Sequence, residues 1–410
     1  MGVSKHSWMT CLKIILIALV PGLFLTGCWD SDDIEQRATV LGISIDKVDD
    51  IDEEGHEQIT GLGTQFPKPK EGLIKLSAQI AVPGRIPLGP QTGGAGADQN
   101  PLWVISVVGY TIDDAIAVLQ QEVADRLFFG HLRTIVISED VAKDGVERFN
   151  DYLRRNPEIR RTAWMVVSKG EAIKFMEVAP KLERVPTLYL SAMVENAVRL
   201  GTFPEDFIGL FWTKLQSKGQ DTFLPYLELK KEDNIQIAGL AYFKDDRMIG
   251  RTEPVEIGLF MAVTGEKIGG YEVFVEVPDT DVKVIVRAEH RRSSVKPTVR
   301  NGKPHVDIKI HYESLIDEGA AGIDLNNPDI VRKIEKEGSK GVIEGTRKLI
   351  KKMQEEQSDI FGFGEYFRAK QPDYWKSEIQ TKEKWREVYK DLTFDIQCTS
   401  KIRRVGTKAK

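Results

Sequence analysis

The sequence predicts an α+β fold in three successive parts, with mixed and antiparallel sheets flanked by helices. Three observations carry that reading. Residues 102–178 alternate strand-like and helix-like patterns, as a sheet with helices packed on it does. Residues 180–235 turn mainly helical, with aromatic and proline-marked turns, and end in a hairpin pattern. From residue 276 onward two alternating strands precede a helical repeat of about 30 residues, a long helix in the C-terminal domain. A chain of 410 residues has room for two or three domains at roughly 100–200 residues each. With 41% apolar and 29% charged residues it is not composed like a disordered chain. Lys+Arg 57 against Asp+Glu 62 gives a net charge of −5, so no basic excess points to nucleic acid. A mean hydropathy of −0.27 excludes a polytopic membrane protein.

The membrane-like character is concentrated at the start. Residues 1–27 contain no acidic residue, and Lys5, His6 and Lys13 precede the apolar run Ile14 to Leu25. Those twelve residues make about 18 Å of helix, whereas a span needs about 20 residues. Pro21-Gly22 interrupts the run further, so it reads as a secretory signal peptide. Its end, Leu25-Thr26-Gly27-Cys28, has the lipobox pattern of a branched aliphatic, two small residues and a cysteine. Small side chains let the peptide lie extended in a lipoprotein signal peptidase. The thiol accepts diacylglycerol, and cleavage then exposes an amine for acylation. Cys28 is thus the expected first mature residue, with S-diacylglycerol and N-acyl groups. The alternative is an ordinary signal peptide followed by an incidental cysteine. Two or three acyl chains, at ~0.8 kcal/mol per buried CH2, would hold the chain on a bilayer. The other cysteines are Cys11, inside the leader, and Cys398, so the mature chain can form no disulfide between unmodified cysteines. Losing Lys5 and Lys13 leaves 55 basic against 62 acidic residues, a net charge of −7.

The predicted domains are 28–196, patterned as α/β, 197–275, a middle α+β part, and 276–410. Val40 to Ile45 alternates as a strand, followed by an acidic loop from Asp46 to Glu57. Asp50, Asp52, Glu54 and Gly55 imitate the opening of a calcium loop, but Gly61 stands where the bidentate Glu is needed, so a hairpin with a solvated tip is expected. Ile74 to Pro83 reads as a strand. Gly93-Gly94-Ala95-Gly96 lacks the following Lys-Ser/Thr and helix of a phosphate cradle, so 84–101 reads as a surface loop. Leu102 to Gly109 and Leu132 to Ser138 are nearly all apolar, as central strands would be. Thr111 caps a helix, Val141 to Leu153 forms another, Ala163 to Ser168 is a strand, and Gly170 opens a further helix. Ile235 to Phe243 and Met248 to Arg251 form a hairpin, and Thr252 caps a helix through Val263. Val282, Val284 and Val286 face a partner strand carrying Val306, Ile308, Ile310 and Tyr312, with Asn301-Gly302 as turn chemistry. Asn327-Pro328 starts the long helix, which runs to about Gln357. Gly338, Gly341 and Gly345 inside it suggest close packing on the sheet or, alternatively, a face for a partner helix. Leu392 to Ile402 is the last strand.

No catalytic constellation, metal site or cofactor motif emerges. His305, Asp307, Lys309 and His311 share one strand face, but six residues of strand span about 20 Å, so both histidines cannot hold one ion and the row reads as solvated. His131 reads as structural. Cys398 alternates with apolar neighbours and has no basic activator nearby. The basic end Lys401, Arg403, Arg404, Lys408 and Lys410 reads as a frayed terminus.

Several segments in order resemble one family. The lipobox is followed by Cys28-Trp29-Asp30, Ile34-Glu35 and Gly42-Ile43-Ser44-Ile45-Asp46. Further on come Phe129-Gly130-His131-Leu132 and Ile237 to Phe243, then Asp359-Ile360-Phe361-Gly362-Phe363-Gly364, Trp375, Trp385 and Lys401-Ile402-Arg403-Arg404. Together they resemble the Ger(x)C proteins, the lipoprotein C subunits of spore germinant receptors. The Gly/Pro stretch at 84–101 departs from the family pattern. The resemblance implies a three-domain α+β lipoprotein on the outer face of the inner spore membrane. It further implies an accessory, non-enzymatic role in nutrient-triggered germination, beside membrane-embedded A and B subunits, with no nucleic acid. Of site residues it carries over only the acylated Cys28. The aromatic stretch Phe361 to Trp375 reads as local core or, alternatively, as a docking surface made by Phe361, Phe363, Tyr366 and Phe367. The rival readings are a solute-binding lipoprotein of an uptake system and an envelope hydrolase.

Overall fold

The structure, a computed structural model, describes residues 37–48, 72–82, 101–178, 183, 185–231, 234–266, 269–318 and 323–405. The lipobox, the acidic loop tip and the Gly/Pro loop lie outside the described residues. Among the described residues no helix is long and apolar enough to cross a membrane.

The first half opens with β1 (Arg37–Lys47), β2 (Ile74–Ala81), β3 (Leu102–Gly109), α1 (Ile112–Glu122), β4 (Arg126–Phe128) and β5 (Thr134–Ser138). It continues through α2 (Glu139–Asp144), α3 (Glu147–Arg155), β6 (Trp164–Ser168), α4 (Lys174–Glu177), α5 (Pro186–Arg199) and α6 (Ile208–Leu215). Next come β7 (Phe223–Leu229), β8 (Ile235–Lys244), β9 (Arg247–Arg251) and α7 (Pro254–Thr264). The remainder holds β10 (Glu272–Glu276), β11 (Lys283–Arg300), β12 (Lys303–Glu318) and α8 (Pro328–Glu356). The chain closes with α9 (Phe363–Lys370), α10 (Pro372–Tyr374), a π-helical turn at Trp375–Ile379, α11 (Lys382–Lys390) and β13 (Thr393–Val405).

One mixed sheet runs β3-β2-β1-β5-β6-β7-β8-β9, with β4 pairing beside β1. It crosses the expected boundary at residue 196 without a break, because β7 joins β6 in parallel at Val167↔Tyr226 and Ser168↔Leu227. The TIVIS strand β5 is central and wholly buried, as its composition implies. The equally apolar β3 is instead an edge strand, with Trp103 41% exposed. Its composition reflects partial cover on its two faces, since Ile105 packs on one core cluster and Val104 on another. The expected helix 141–153 is two helices, α2 and α3, divided where Gly145 takes φ 117°. Strand β7 was hidden by Pro225, which reads as a turn residue. Pro225 lies just outside the short ladder with β6, so its missing N–H costs that pairing nothing.

The second sheet runs β10-β11-β12-β13. β11 and β12 form a long hairpin through Asn301 (φ 51°) and Gly302 (φ 76°), the left-handed pair that a two-residue turn of this hand requires. β13 joins β12 in parallel. The edge strand β10 was not anticipated. Helix α8 starts as expected, with the Asn327 side chain accepting from the Asp329 N–H at 2.9 Å. The helix after β9 is capped by Glu253 and Glu256, one residue past the expected Thr252, whose hydroxyl instead accepts from the Leu240 N–H at 2.9 Å. The core is continuous across the sheets: Leu190, Phe223 and Leu240 share one cluster with Val306, Ile308, Leu349 and Phe363.

Candidate functional site

A buried polar network joins the two sheets where the DIFGFG segment, residues 359–364, meets the loop before β7. Its chemistry starts with Asp359, fully buried. That carboxylate accepts from the N–H of Gly362 at 2.9 Å, from the N–H of Gly364 at 3.0 Å and from the Trp385 indole at 3.0 Å. The Asp359 N–H donates to Asp221 at 3.1 Å, and the Asp221 N–H donates to the Asp359 carbonyl at 2.9 Å. Burial pushes the Asp359 carboxyl up to about 7 despite these donors, and the neighbouring Asp221 charge adds to the rise.

Asp221 is in turn held by α11. Arg386 donates to Asp221 at 2.7 Å and grips both oxygens of Asp245 at 2.8 Å, while Lys382 lies 3.1 Å from Asp221. These carboxylates belong to the first sheet's loops and the cations to the C-terminal region, so the network is a clasp between them. The glycines permit its closeness. A Cβ on Gly364 would lie 2.6 Å from the Gly219 Cα and 2.6 Å from the Trp385 ring. Gly362 takes φ 72°, a left-handed conformation that a side chain would strain.

The aromatic stretch, read as local core with a docking surface as the alternative, lies mostly inside the protein. Phe361, Phe363 and Phe367 are buried, and only Tyr366 is half-exposed. Phe361 stacks on Phe363 at 5.2 Å, Phe363 meets Phe394 at 5.0 Å, and Phe367 meets Trp385 at 5.5 Å. An aromatic run interrupted by glycine builds a wedge between the sheets, because apolar area of that size gains more from burial than from a wet surface. The three phenylalanines thus pack as local core.

The histidine row is corrected. His305 is buried, not solvated, because parallel pairing sets Thr393 and Asp395 of β13 beside it. Its Nδ1 lies 2.7 Å from the Thr393 hydroxyl and its Nε2 lies 3.1 Å from Asp395 and 3.7 Å from Asp307. Those three donors could gather around one ion. Arg300 already bridges the same carboxylates, at 2.7 Å to Asp307 and 2.9 Å to Asp395, and offsets one of their two charges within the chain. His311 points to Thr399 further along the strand. His131 is exposed and meets the Phe128 ring edge-on at 5.8 Å. Burial pushes the Cys398 thiol up to about 12, which leaves it unreactive at neutral pH. Of the three helix glycines, Gly345 lies against Leu259 and Gly338 near Val275 and Tyr312, as close packing requires, while Gly341 has open space. Cys28, Leu25, Thr26 and Gly27 lie outside the described residues.

The sequence resemblance marked the DIFGFG segment and Trp385 but not Asp221, Asp245, Lys382 or Arg386. Acidic and basic residues in loops and on helices carry no pattern that separates a buried pair from a solvated one.

Comparison with known proteins places this architecture. Residues 30–229 match the family described as "Spore germination protein N-terminal domain", and residues 238–406 match "Spore germination B3/ GerAC like, C-terminal". The putative spore germination protein YfkR of Bacillus subtilis (strain 168) is 28% identical, over 96% of this chain and 95% of its own length. Spore germination protein KC of the same organism is 25% identical, over 97% and 96%. The crystal structure of the GerBC protein shares the fold, with a TM-score of 0.56 at 17% identity, covering 82% of this chain and 96% of that one. With matches to both domain families spanning nearly the whole chain, the protein belongs to the GerAC-like spore germination family, the Ger(x)C proteins.

Proposed function

We propose that this chain is the C subunit of a nutrient germinant receptor, a non-catalytic lipoprotein fixed to the inner spore membrane through acylated Cys28. The observation that carries the reading is the order of parts: a lipobox at residues 25–28, then the two spore germination domains from residue 30 to residue 406. The full-length likeness to spore germination proteins supports the receptor role, and the membrane-embedded A and B subunits are the proposed partners. A lipid anchor suits a chain whose described residues include no membrane-spanning helix. The clasp suits a scaffold, since it fixes the relative position of two sheets without leaving a reactive group exposed.

The test is Cys28→Ala in the sporulating host, with membrane retention, receptor assembly and nutrient response measured together. Release of the subunit from the membrane with loss of nutrient response is expected. A fully soluble variant that still supports normal germination overturns the anchor as a working part.

A further inference from the structure

The four strands β1, β4, β5 and β6 are mutually parallel, so they all start at one end of the large sheet. That end is rich in arginine. Arg37 begins β1 and is the register partner of Arg126, which begins β4. Arg133 immediately precedes β5, its N–H donating to the Leu41 carbonyl at 2.9 Å. Arg160 and Arg161 occupy the turn before β6, and the Arg161 carbonyl accepts from the Gly209 N–H at 2.9 Å. Arg126, Arg133, Arg160 and Arg161 are exposed, and the last three enter no ion pair among the described residues. Arg37 is half-buried, its guanidinium 4.9 Å from the centre of the Phe128 ring. The acids nearby are Asp125, exposed, Glu158, which holds Arg126 at 3.3 Å and the Phe129 N–H at 2.9 Å, and Glu205, exposed in the loop before α6, and the sequence leading into Arg37 carries Asp30, Asp32, Asp33 and Glu35.

The opposite end of the same strands holds acids beside lysines. Asp46 precedes Lys47 at the end of β1, Glu139 and Asp140 follow β5, and Lys169 and Glu171 follow β6, with Glu139 paired to Lys143 and Glu171 to Lys174. The chain continuing beyond β1 carries six acidic residues in 49–57. A mature net charge of −7 therefore hides a charge gradient along the strands. Exposed charges interact over a Debye length of about 8 Å, so the local patch and not the net charge decides what this end adsorbs.

Two further observations fix the partner. Only eight residues lie between Cys28 and Arg37, a reach of at most about 30 Å, so a lipid anchor tethers this end and not the opposite one. Trp103 lies at the same end, through the register Thr39↔Ala81 and Ile80↔Trp103, and it is one of the few exposed large apolar side chains. Tryptophan with arginine is the residue set of a bilayer interface.

We infer that the arginine end of the large sheet is a docking face for anionic phospholipid headgroups, which sets the sheet end-on to the membrane with its opposite end outward. Guanidinium groups bind phosphate oxygens in pairs, and Trp103 enters the headgroup layer beside them. The anchor gives local concentration, and the arginine end gives orientation. The orientation rests on the proposed acylation of Cys28, whereas the lipid affinity of the face does not.

The test uses a chain beginning at Trp29, which keeps every described residue and has no lipid. It is sedimented with phosphatidylcholine vesicles, with and without phosphatidylglycerol, at low and high salt. Binding only to the anionic vesicles, weakened by salt, is expected. The combined change Arg133→Glu, Arg160→Glu and Arg161→Glu should lower that binding by on the order of 100-fold. A control reversing Lys348 and Lys351 to Glu on α8 changes the net charge elsewhere and should leave binding in place. Thermal melts establish that each variant is folded. Absence of binding selective for the anionic vesicles overturns the inference, as does an equal loss in both sets of variants. Vesicle binding that survives the triple change, with co-purification of a membrane-embedded subunit lost instead, also overturns it and assigns the face to a protein. A failed anchor would appear separately, as unaltered germination in Cys28→Ala, without affecting the vesicle result.

Discussion

The clasp around Arg386 and the cluster around Arg300 contain the same residue types at nearly the same distances, yet they sit at opposite extremes of exposure. Arg386 reaches Asp221 at 2.7 Å with side chains 8% and 2% exposed. Arg300 reaches Asp307 at 2.7 Å and Asp395 at 2.9 Å, with side chains 50%, 27% and 58% exposed. Separation alone therefore does not rank ion pairs. In the clasp Arg386 and Asp221 have lost their water and depend on each other, while Asp245 at the rim stays 58% exposed, and around Arg300 water stands ready to replace every partner.

The largest effect expected from this contrast is that of Arg386→Met. It leaves Lys382 as the remaining ion-pair partner of Asp221 and Asp245 among the described residues, and removing one member of a buried pair costs about 3–5 kcal/mol. Urea denaturation measures it, and a loss no greater than that of an exposed pair would erase the distinction. Next in size is Gly364→Ala, whose new methyl meets the Gly219 backbone and the Trp385 ring and should cost about 1–3 kcal/mol. Gly341→Ala, with nothing within 4 Å, is the matched control and should instead stabilise α8 by up to about 1 kcal/mol.

A pH series sharpens the comparison further. The Asp359 carboxyl is pushed up to about 7 from 3.8, so the folded state binds its proton more tightly than the unfolded chain. The associated stability is complete below about pH 4, declines as pH rises through 7, and does not return above it. Asp206, buried and pushed up to about 6, acts in the same direction. Asp359→Asn should flatten the fall in denaturation midpoint between these limits, leaving the smaller slope from Asp206. The smallest effect belongs to Arg300→Met, whose midpoint should lie close to that of the unaltered chain, with added salt removing what difference remains.

What could be read in advance follows the same physics. The Asn301-Gly302 turn, the Asn327-Pro328 helix start and the apolar β5 each depend on local chemistry, and each forms as expected. Local signals failed where the neighbours decide. β3 has the composition of a central strand but lies at an edge, and Pro225 resembles a turn yet lies within β7. His305 alternates like a solvated residue until β13, some 90 positions later, covers it. The candidate docking phenylalanines had the right composition for contact, but their contacts are internal. Of the clasp, only the segment carrying family likeness was visible; its carboxylate partners come from loops more than a hundred residues upstream.

The parallel pairing of β12 with β13 has a consequence in time as well as in space. Residues 319–392 separate the two strands, as a parallel connection requires, and that interval contains both the wedge and the clasp cations. During synthesis the first sheet can therefore be complete while Asp221 and Asp245 still lack Arg386, and β12 still offers an open ladder. A nascent chain stopped before residue 393 keeps that ladder, with Val306, Ile308 and Ile310, as a template for intermolecular pairing. β13 covers it, so the edge of β12 stays open until residues 393–405 have been made.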